Sequence, residues 1–319
     1  MDTVLAPLYW VVSWIMIGWH EFFSLFMDAD AGGTWALSII GLVIVMRILL
    51  IPLFVRQIKS MRNMQLIQPQ MRELQAKYGH DKEKLSQEMM KLYKETGSNP
   101  FSSCLPVLAQ APFFFALFRV LNGIAEDVPR GAFADYPALF TSLSESTVFG
   151  APLAASFASA YDYPNATTTR IIAAVMVVLM TATTFFTQRQ LMRQNMPKAA
   201  LEGPFAQQQK ILLYILPLMF LFSGYYFPLG VVLYWLTTNI WTMGQQFYVI
   251  RRMPAPGTPA EEAMRKRQEA KAGRKGQPLP PVDSGTNVMI AEPSPVDPTP
   301  KRQQPKKQSR SQRKKSGKK

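Results

Sequence analysis

The sequence has few of the residues on which catalytic and metal centres depend. Among 319 residues there is one cysteine, Cys104, and there are two histidines, His20 and His80. A single cysteine excludes an intramolecular disulfide and a cysteine-based metal site. The histidines lie far apart, on segments predicted to face opposite sides of a membrane, so Ser/His and Cys/His catalysis lack their usual components. We therefore expect no enzymatic activity, no metal and no cofactor.

Two further motifs are missing. No G-x-x-x-x-G-K-[ST] loop is present to bind nucleotide phosphates, and the first residues, MDTVLAP, lack the basic segment of a cleavable secretion signal. Acidic residues are also scarce, with 21 Asp and Glu against 35 Lys and Arg, a net charge of +14. Apolar residues make up 48% of the chain and are concentrated in long runs. This composition indicates a polytopic membrane protein with a polar appendix.

The apolar runs predict an all-α core of five transmembrane helices within residues 35–252. The predicted spans are 35–55, 101–121, 170–190, 211–227 and 229–250. Residues 56–99 carry nine Lys and Arg against five Asp and Glu, with apolar residues at three- and four-residue steps. This segment predicts a helical hairpin outside the bilayer, bent at Pro69, with a glycine stop at Gly79 and a new helix capped by Asp81.

The N-terminal region, residues 1–34, holds an apolar, Trp-rich helix and an outer linker. Ser13, His20, Ser24 and Asp28 form one polar stripe on this helix, a pattern that favours a helix lying in the outer membrane interface. In that position Trp10, Trp14 and Trp19 are expected to be interfacial anchors. Residues 5–26 are nevertheless long enough to span, and both interpretations remain open.

Charge predicts the orientation of the helices. Residues 122–168, which show little periodic pattern, have five acidic residues against Arg130 alone, and the N-terminal region is also acidic. The hairpin and the tail, residues 253–319, are basic. Since basic segments stay cytoplasmic, we expect the hairpin and the C-terminus inside and the 122–168 loop outside. The tail is expected to be disordered, because it cannot bury enough apolar surface to fold alone.

Arg47 is a charge within an apolar span, and four helices carry polar residues at a similar predicted depth. Counted from the cytoplasmic ends of the predicted spans, Arg47, Gln110, Thr181 and Thr242 lie about 12 to 14 Å deep. None of the other predicted spans contains Asp or Glu, so no carboxylate within the bilayer can neutralise Arg47. These positions predict a wet groove open to the cytoplasm. Its predicted lining residues are Arg47, Gln110, Thr181, Thr184, Gln188, Trp235, Thr238, Asn239 and Thr242. The threonine hydroxyls could instead bond the carbonyls of their own helices.

Two other surfaces are candidates for contact with partners. The hairpin methionines could form a pliant face for client segments or could join the two arms to each other; they are Met61, Met64, Met71, Met89 and Met90. The tail residues predicted to bind polyanions are Lys306, Lys307, Arg310, Arg313, Lys314 and Lys315. Anionic lipids, ribosomal RNA and a purely topological role are all compatible with such a basic segment.

Three sequence segments together resemble the YidC/Oxa family of membrane protein insertases, in particular its actinobacterial members. They are IPLFVRQIKSMRNMQLIQPQMRELQAKYGHD after Arg47, SNPFSSCLPVLAQAPFFFALFRVL, and LPLGVVLYWLTTNIWTMGQQFYVIRR. The resemblance covers roughly Leu5 to Arg252. It implies a hydrophilic groove closed towards the outside, a mobile cytoplasmic hairpin, and a role for Arg47 as the groove arginine. It also implies nascent membrane proteins as clients, with the Sec translocon and the ribosome as partners, in the plasma membrane. The chain has no N-terminal lipobox cysteine, so we expect no lipid anchor of the Gram-positive type.

From these observations we expect an insertase and chaperone of membrane proteins. An anion channel or transporter could also hold one arginine in a wet pocket, but the sequence shows no internal repeats or charged ring. A membrane hydrolase lacks a nucleophile and base at depth. A non-inserting assembly factor for membrane complexes would use the same surfaces as an insertase and remains an alternative.

Overall fold

The computed structural model describes residues 2–97, 105–195, 204–254 and 257–275. Within them the fold is helical apart from one short β-hairpin. The helices are α1 (Asp2–Ser24), α2 (Gly32–Leu49), α3 (Ile51–Leu66), α4 (Gln68–Tyr78), α5 (Lys82–Glu95), α6 (Leu105–Ala125), α7 (Pro137–Glu145), α8 (Ala166–Asn195), α9 (Pro204–Gly224), α10 (Leu229–Arg252) and α11 (Pro259–Lys275). Helix α8 packs on both α9 and α10, α10 also packs on α2, and α1 packs on α2 and α6.

Four helices are long and apolar enough to cross a membrane. They are α1, α2, α6 and α8. Three of them coincide with predicted spans, whereas α9 has a shorter apolar stretch, Leu213–Gly224. Helix α10 follows the predicted span 229–250 closely, but its threonines, asparagine and glutamines lower its hydropathy. The structure therefore supports a polytopic helical membrane protein, while the crossing of α9 and α10 stays a prediction.

The first predicted span is divided at Leu50. Helix α2 ends at Leu49, and α3 begins at Ile51. Pro52 explains the break, because it has no N–H to donate to the carbonyl of Ile48. The predicted membrane span over 35–55 stays a prediction, because Leu50 keeps helical backbone angles (φ −88°, ψ −3°); the break places Arg47 in the last turn of α2.

The 122–168 loop is more ordered than its sequence pattern suggests. Residues 126–165, here called the cap, contain a 3₁₀ turn (Gly131–Ala134), α7, a second 3₁₀ turn (Ala160–Asp162) and the antiparallel strands β1 (Thr147–Val148) and β2 (Ala151–Pro152). Phe133, Leu143 and Leu153 of the cap are at most 2% exposed and belong to the main core. The cap thus closes one end of the bundle, here called the cap end.

Backbone contacts join the cap to the helices. A Cβ on Gly32 would lie 1.9 Å from the Thr147 carbonyl oxygen, so only glycine fits where α2 begins beneath β1. The first amides of α10 have no partner within their own helix. They donate to the cap instead, Leu229 to the Ala155 carbonyl at 2.8 Å and Gly230 to the Leu153 carbonyl at 2.9 Å.

Two residues of the predicted polar stripe, Ser13 and His20, face the protein interior, whereas Asp28 lies beyond the end of α1 and is exposed. The Ser13 hydroxyl accepts a bond from the Ala132 amide at 2.8 Å and donates to the Tyr9 carbonyl at 2.6 Å. The His20 ring lies 2.9 Å from the Ala29 carbonyl through Nε2 and stacks on Trp35 with 3.9 Å between ring centroids. Ser13 and His20 therefore pack against the cap and α2, respectively. Trp10 and Trp14, two of the expected anchors, are exposed.

The hairpin lies at the opposite end of the bundle, here called the hairpin end; its internal turns fall near the predicted Pro69, Gly79 and Asp81, whereas its first arm, α3, begins at Ile51 and not at residue 56. Helix α3 ends at Leu66 and α4 begins at Gln68, with Pro69 in its first turn. Helix α4 ends at Tyr78 before Gly79, and the Asp81 carboxylate caps α5 by accepting the Lys84 amide at 3.0 Å. No residue of α5 is buried. The hairpin is consequently built from half-buried contacts between its arms.

The tail begins with a helix. Residues 253–319 were expected to be disordered, but Pro259–Lys275 forms α11, which packs on α8 and α10. The buried Thr258 starts the helix, since its carbonyl accepts the amides of Glu261 and Glu262. The prediction was wrong for this part of the tail, because a local N-terminal cap and contacts to two long helices supply what the basic composition lacks.

Candidate functional site

Arg47 lies beside polar groups from two other helices. The Tyr234 side chain of α10 interacts with the Arg47 charge, and its hydroxyl is next to the side chains of Gln110 on α6 and Thr238 on α10. Arg47 forms no ion pair within the described residues. Tyr234 thus has three of the predicted groove residues, Arg47, Gln110 and Thr238, as neighbours.

Tyr234 was not among the groove residues predicted from the sequence. It is 7% exposed and precedes Thr238 by one helical turn, so both side chains lie on the same face of α10. That spacing was a signal that could have identified it. With Tyr234 and Gln110 the site offers one cation and several neutral hydrogen-bonding groups, which suits an anionic or strongly polar guest.

Other predicted groove residues join helices to each other. The Asn239 side-chain amide donates to the Thr184 hydroxyl at 2.8 Å and to the Met180 carbonyl at 3.2 Å. The Thr184 hydroxyl itself donates to the Met180 carbonyl at 2.8 Å. These contacts form a polar seam between α8 and α10, so Thr184 and Asn239 serve helix packing in this structure.

Of the two remaining predicted threonines, Thr242 is hydrogen-bonded within its own helix and Thr181 is not. The Thr242 hydroxyl donates to the Thr238 carbonyl of its own helix at 2.8 Å, which is the alternative considered from the sequence. The buried Thr181 hydroxyl and the Trp241 indole nitrogen have no hydrogen-bond partner in the described part of the chain. Buried polar atoms are usually satisfied by protein or water. The Thr181 hydroxyl and the Trp241 indole nitrogen are therefore left without a hydrogen bond inside this part of the bundle.

Trp235 and Gln188 have different surroundings. The Trp235 ring packs against Phe114, Phe220 and Phe227 at centroid distances of 5.2, 4.8 and 5.5 Å, in a cluster that joins α6, α9 and α10. Gln188 is half-buried on α8, one turn beyond Thr184. Trp235 is thus mainly a packing residue. Gln188 forms no hydrogen bond, among the described residues, to Arg47, Gln110, Tyr234 or Thr238, here called the Arg47 cluster.

An apolar groove begins four residues after Arg47. It has a volume of about 420 Å³ and runs between α3 and the second half of α10. Its lining residues are Ile51, Phe54, Val55, Ile58, Ile240, Trp241, Gly244, Gln245, Tyr248, Val249 and Met253. The α3 residues recur at three- and four-residue steps, a signal that was present in the sequence but was assigned to the end of a span and the start of the hairpin.

The hairpin methionines differ in exposure. The Met71 sulfur accepts the Tyr93 hydroxyl at 3.9 Å, so this residue joins α4 to α5. Burial raises the pKa of the Tyr93 phenol above its ordinary value. Met89 is half-buried and Met90 is exposed. The side chains of Met61 and Met64, like the tail residues Lys306, Lys307, Arg310, Arg313, Lys314 and Lys315, lie outside the described part of the structure.

Comparison with known proteins identifies relatives over most of the chain. Residues 26–256 match the sequence model of a family described as 60Kd inner membrane protein. A membrane protein insertase YidC of Streptomyces avermitilis is 50% identical over 275 residues, covering 84% of this chain and 64% of the relative. Proteins with the same description in Tropheryma whipplei strain Twist and Mycobacterium tuberculosis strain H37Rv are 38% and 35% identical, covering 95% and 75% of those relatives. The chain therefore spans just under two thirds of the length of its Streptomyces relative and most of the other two.

Proposed function

The chain belongs to the YidC/Oxa family of membrane protein insertases, and from this premise we propose that it inserts integral membrane proteins and helps them fold. The observation that carries the proposal is Arg47, which has no ion pair within the described residues and is grouped with Gln110 and Tyr234. A client segment with a carboxylate would supply the missing negative charge. At about 4 Å and an effective dielectric near 20, such a pair is worth about 4 kcal/mol before desolvation, enough for transient binding.

We propose that the hairpin end faces the cytoplasm and the cap faces outward. The basic hairpin and the acidic cap have the charge asymmetry typical of that orientation. In this orientation Arg47, in the last turn of α2, is close to the cytoplasmic side, while the cap covers the outer ends of the helices. A polar client segment would enter from the hairpin end and would then cross less hydrocarbon without solvation.

The apolar groove between α3 and α10 suggests a path for the client's hydrophobic segment. In the proposed mechanism, the acidic part of the client enters towards Arg47 while its apolar helix lies along residues such as Phe54 and Ile240. Transfer of that helix into lipid supplies the driving energy, so no nucleotide and no catalytic group are required. Thr181, Gln188 and Thr242 on the neighbouring helix faces would contribute polar contacts on the way.

Helix α1 is proposed to lie along the outer membrane interface. The carbonyl of Tyr9, near its start, is in close contact with Gly131 of the cap, and His20, near its end, bonds the α1–α2 connection at Ala29. Both partners belong to the cap end. A helix crossing the bilayer would place Tyr9 and His20 at different depths, so these contacts support the interfacial interpretation.

The proposed partners follow from the same assignment. Nascent membrane proteins in the plasma membrane are the clients, either directly from the ribosome or beside the Sec translocon. The exposed Met90 of the hairpin would meet emerging segments first. The basic tail would contact ribosomal RNA or anionic lipids through phosphate neutralisation.

The direct test combines crosslinking with insertion assays. A photo-crosslinker at position 47 or 110 should capture a ribosome-bound nascent membrane protein. Insertion of a client with an acidic translocated tail should fall about tenfold with Arg47→Ala, equivalent to about 1.4 kcal/mol. A client with a neutral tail should insert equally well with both proteins.

A matched control changes an arginine of α3 that lies outside the Arg47 cluster. Arg56 is exposed, and Arg56→Ala removes the same charge. If this control lowers insertion as much as Arg47→Ala, or if the acidic client inserts undiminished with Arg47→Ala, Arg47 has no part in the mechanism. Anion flux through reconstituted protein without client insertion would instead support the channel alternative.

A further inference from the structure

A second cavity lies away from Arg47, where α8, α10 and α11 meet. Its volume is about 600 Å³. Its lining residues are Phe186, Arg189, Gln190, Arg193 and Gln194 from α8, Phe247, Ile250 and Arg251 from α10, and Ala260, Ala263 and Arg267 from α11. The cavity exists only because α11 packs against the two longer helices.

The cavity is strongly basic. Arg189 and Arg193 from α8, Arg251 from α10 and Arg267 from α11 all line it, and no carboxylate is among its lining residues. None of these four arginines has an ion pair within the described residues. Arg267 donates to two backbone carbonyls, those of Ala263 at 3.1 Å and Arg251 at 3.3 Å, which leaves its charge uncompensated. Four like charges around one cavity favour a bound anion.

One side of the cavity is apolar. Phe186 and Phe247 are 57% and 55% exposed, and Ile250, which also lines the cavity, is buried. Along α8 and α10 each of these phenylalanines comes a few residues before an arginine of the cavity, at the point where the apolar part of the helix ends. Arginines beside exposed rings at this level of a membrane helix fit a ligand with an anionic head and an apolar body.

We propose that this cavity binds the head group of an anionic phospholipid. The arginines would bind the phosphate oxygens, for which the planar guanidinium group is well suited, and the acyl chains would run along Phe186 and Phe247. The charge favours a lipid with two phosphates over one with a single phosphate. Because Arg267 belongs to α11, a bound lipid would also hold the start of the tail at the membrane surface. The site requires only that α8 and α10 lie in the membrane, so it is independent of the insertase proposal.

Native mass spectrometry of the full chain in detergent micelles tests the proposal. The probes are diphosphatidylglycerol, phosphatidylglycerol and phosphatidylcholine, with excess inorganic phosphate or a short single-stranded RNA as competitors. We expect binding in the order diphosphatidylglycerol, phosphatidylglycerol, phosphatidylcholine. The double variant Arg193→Gln/Arg267→Gln should weaken diphosphatidylglycerol binding about thirtyfold, since each arginine near a lipid surface contributes about 1 kcal/mol.

The matched control is Lys271→Gln/Arg274→Gln, which removes two charges from the exposed part of α11 outside the cavity. Unchanged lipid binding by this variant supports the site, and an equal loss overturns it. Displacement of the lipid by inorganic phosphate would reduce the site to a phosphate site, and displacement by RNA would assign it to nucleic acid; either outcome overturns the proposal. If the double variant does not fold, Arg193→Gln alone should weaken binding about fivefold.

Discussion

The two ends of the helical bundle satisfy their polar groups differently. At the cap end, the Trp35 indole donates to the Ser142 hydroxyl at 3.0 Å, and Ser142 donates to the Asp30 carboxylate at 2.9 Å, so three separate segments are joined. At the hairpin end, Arg47 and the four arginines of the second cavity have no ion pairs within the described residues. The cap end is closed by its own contacts, whereas these five arginines at the hairpin end are not neutralised by any carboxylate of the described residues. This asymmetry suits a protein that receives polar segments from one side of a membrane.

The largest expected effect is a loss of stability when a core side chain of the cap is removed. Phe133 is 1% exposed and packs near Trp35 and Phe140, with centroids 6.0 and 6.3 Å away. Phe133→Ala should cost about 3 to 5 kcal/mol of stability, because it leaves a cavity in the core. Thermal unfolding in detergent micelles measures the loss. Leu85→Ala, on the half-buried face of α5, should cost under about 1 kcal/mol; equal losses would show that the two ends do not differ.

The polar seam between α8 and α10 should contribute less to the stability of the protein than the core of the cap does. Asn239→Leu removes both hydrogen bonds to α8, and interhelical bonds in membranes average about 0.6 kcal/mol each with a maximum near 1.7. We expect a loss of about 1 to 2 kcal/mol in the same unfolding assay. Thr242→Val is the control, since its hydroxyl bonds only its own helix and its removal should be nearly neutral. A neutral Asn239→Leu would mean that packing alone holds the two helices together.

Arg47 should show opposite effects on stability and activity. Arg47→Met removes a charge that has no ion pair within the described residues. The free energy of unfolding should therefore be unchanged or raised by about 1 kcal/mol. Insertion of a client with an acidic tail should fall in parallel measurements on the same preparation. A large loss of stability would instead indicate that Arg47 is a structural residue.

The smallest expected effect is a dependence of cap stability on alkaline pH. Burial, followed by the negative charge of Asp162, raises the pKa of Tyr163. The stabilisation that goes with this raised pKa is fully present below the unfolded value of about 10 and is lost as the pH rises through the folded pKa. Tyr163→Phe should therefore reduce the alkaline loss of thermal stability. Tyr93→Phe in the hairpin should change the alkaline loss of thermal stability less than Tyr163→Phe does. A larger effect of Tyr93→Phe would contradict the proposed difference between the two ends.

Local signals in the sequence were sufficient to predict the helices of the hairpin and most of the long apolar helices. Pro69, Gly79 and Asp81 act on their immediate neighbours, and the structure has helix boundaries at those positions. The break at Leu50 was not predicted, because hydropathy alone treats the apolar run around Pro52 as one span. Helix α11 was not predicted either, because its packing on α8 and α10 is not visible in a basic, proline-rich sequence.

The candidate site was predicted less completely than the helices. Arg47 and Gln110 were found because a charge and an amide are conspicuous among apolar residues. Tyr234 was missed because an aromatic residue in a membrane helix is ordinary until its neighbours are known. Asn239 and Thr184 were assigned to a groove, but their side chains turn towards each other across two helices.

By itself, the sequence determined that this protein is helical and membrane-bound, that its two sides differ in charge, and that one arginine lies among apolar residues without an acidic partner in the spans. Composition and helical periodicity are sufficient for these conclusions, because they depend on single segments. Only the tertiary structure decided which polar residues surround that arginine, which ones join helices, and that the cap closes one end. Those outcomes depend on contacts between residues far apart in the chain, such as Ser13 with Ala132, and no local pattern encodes them.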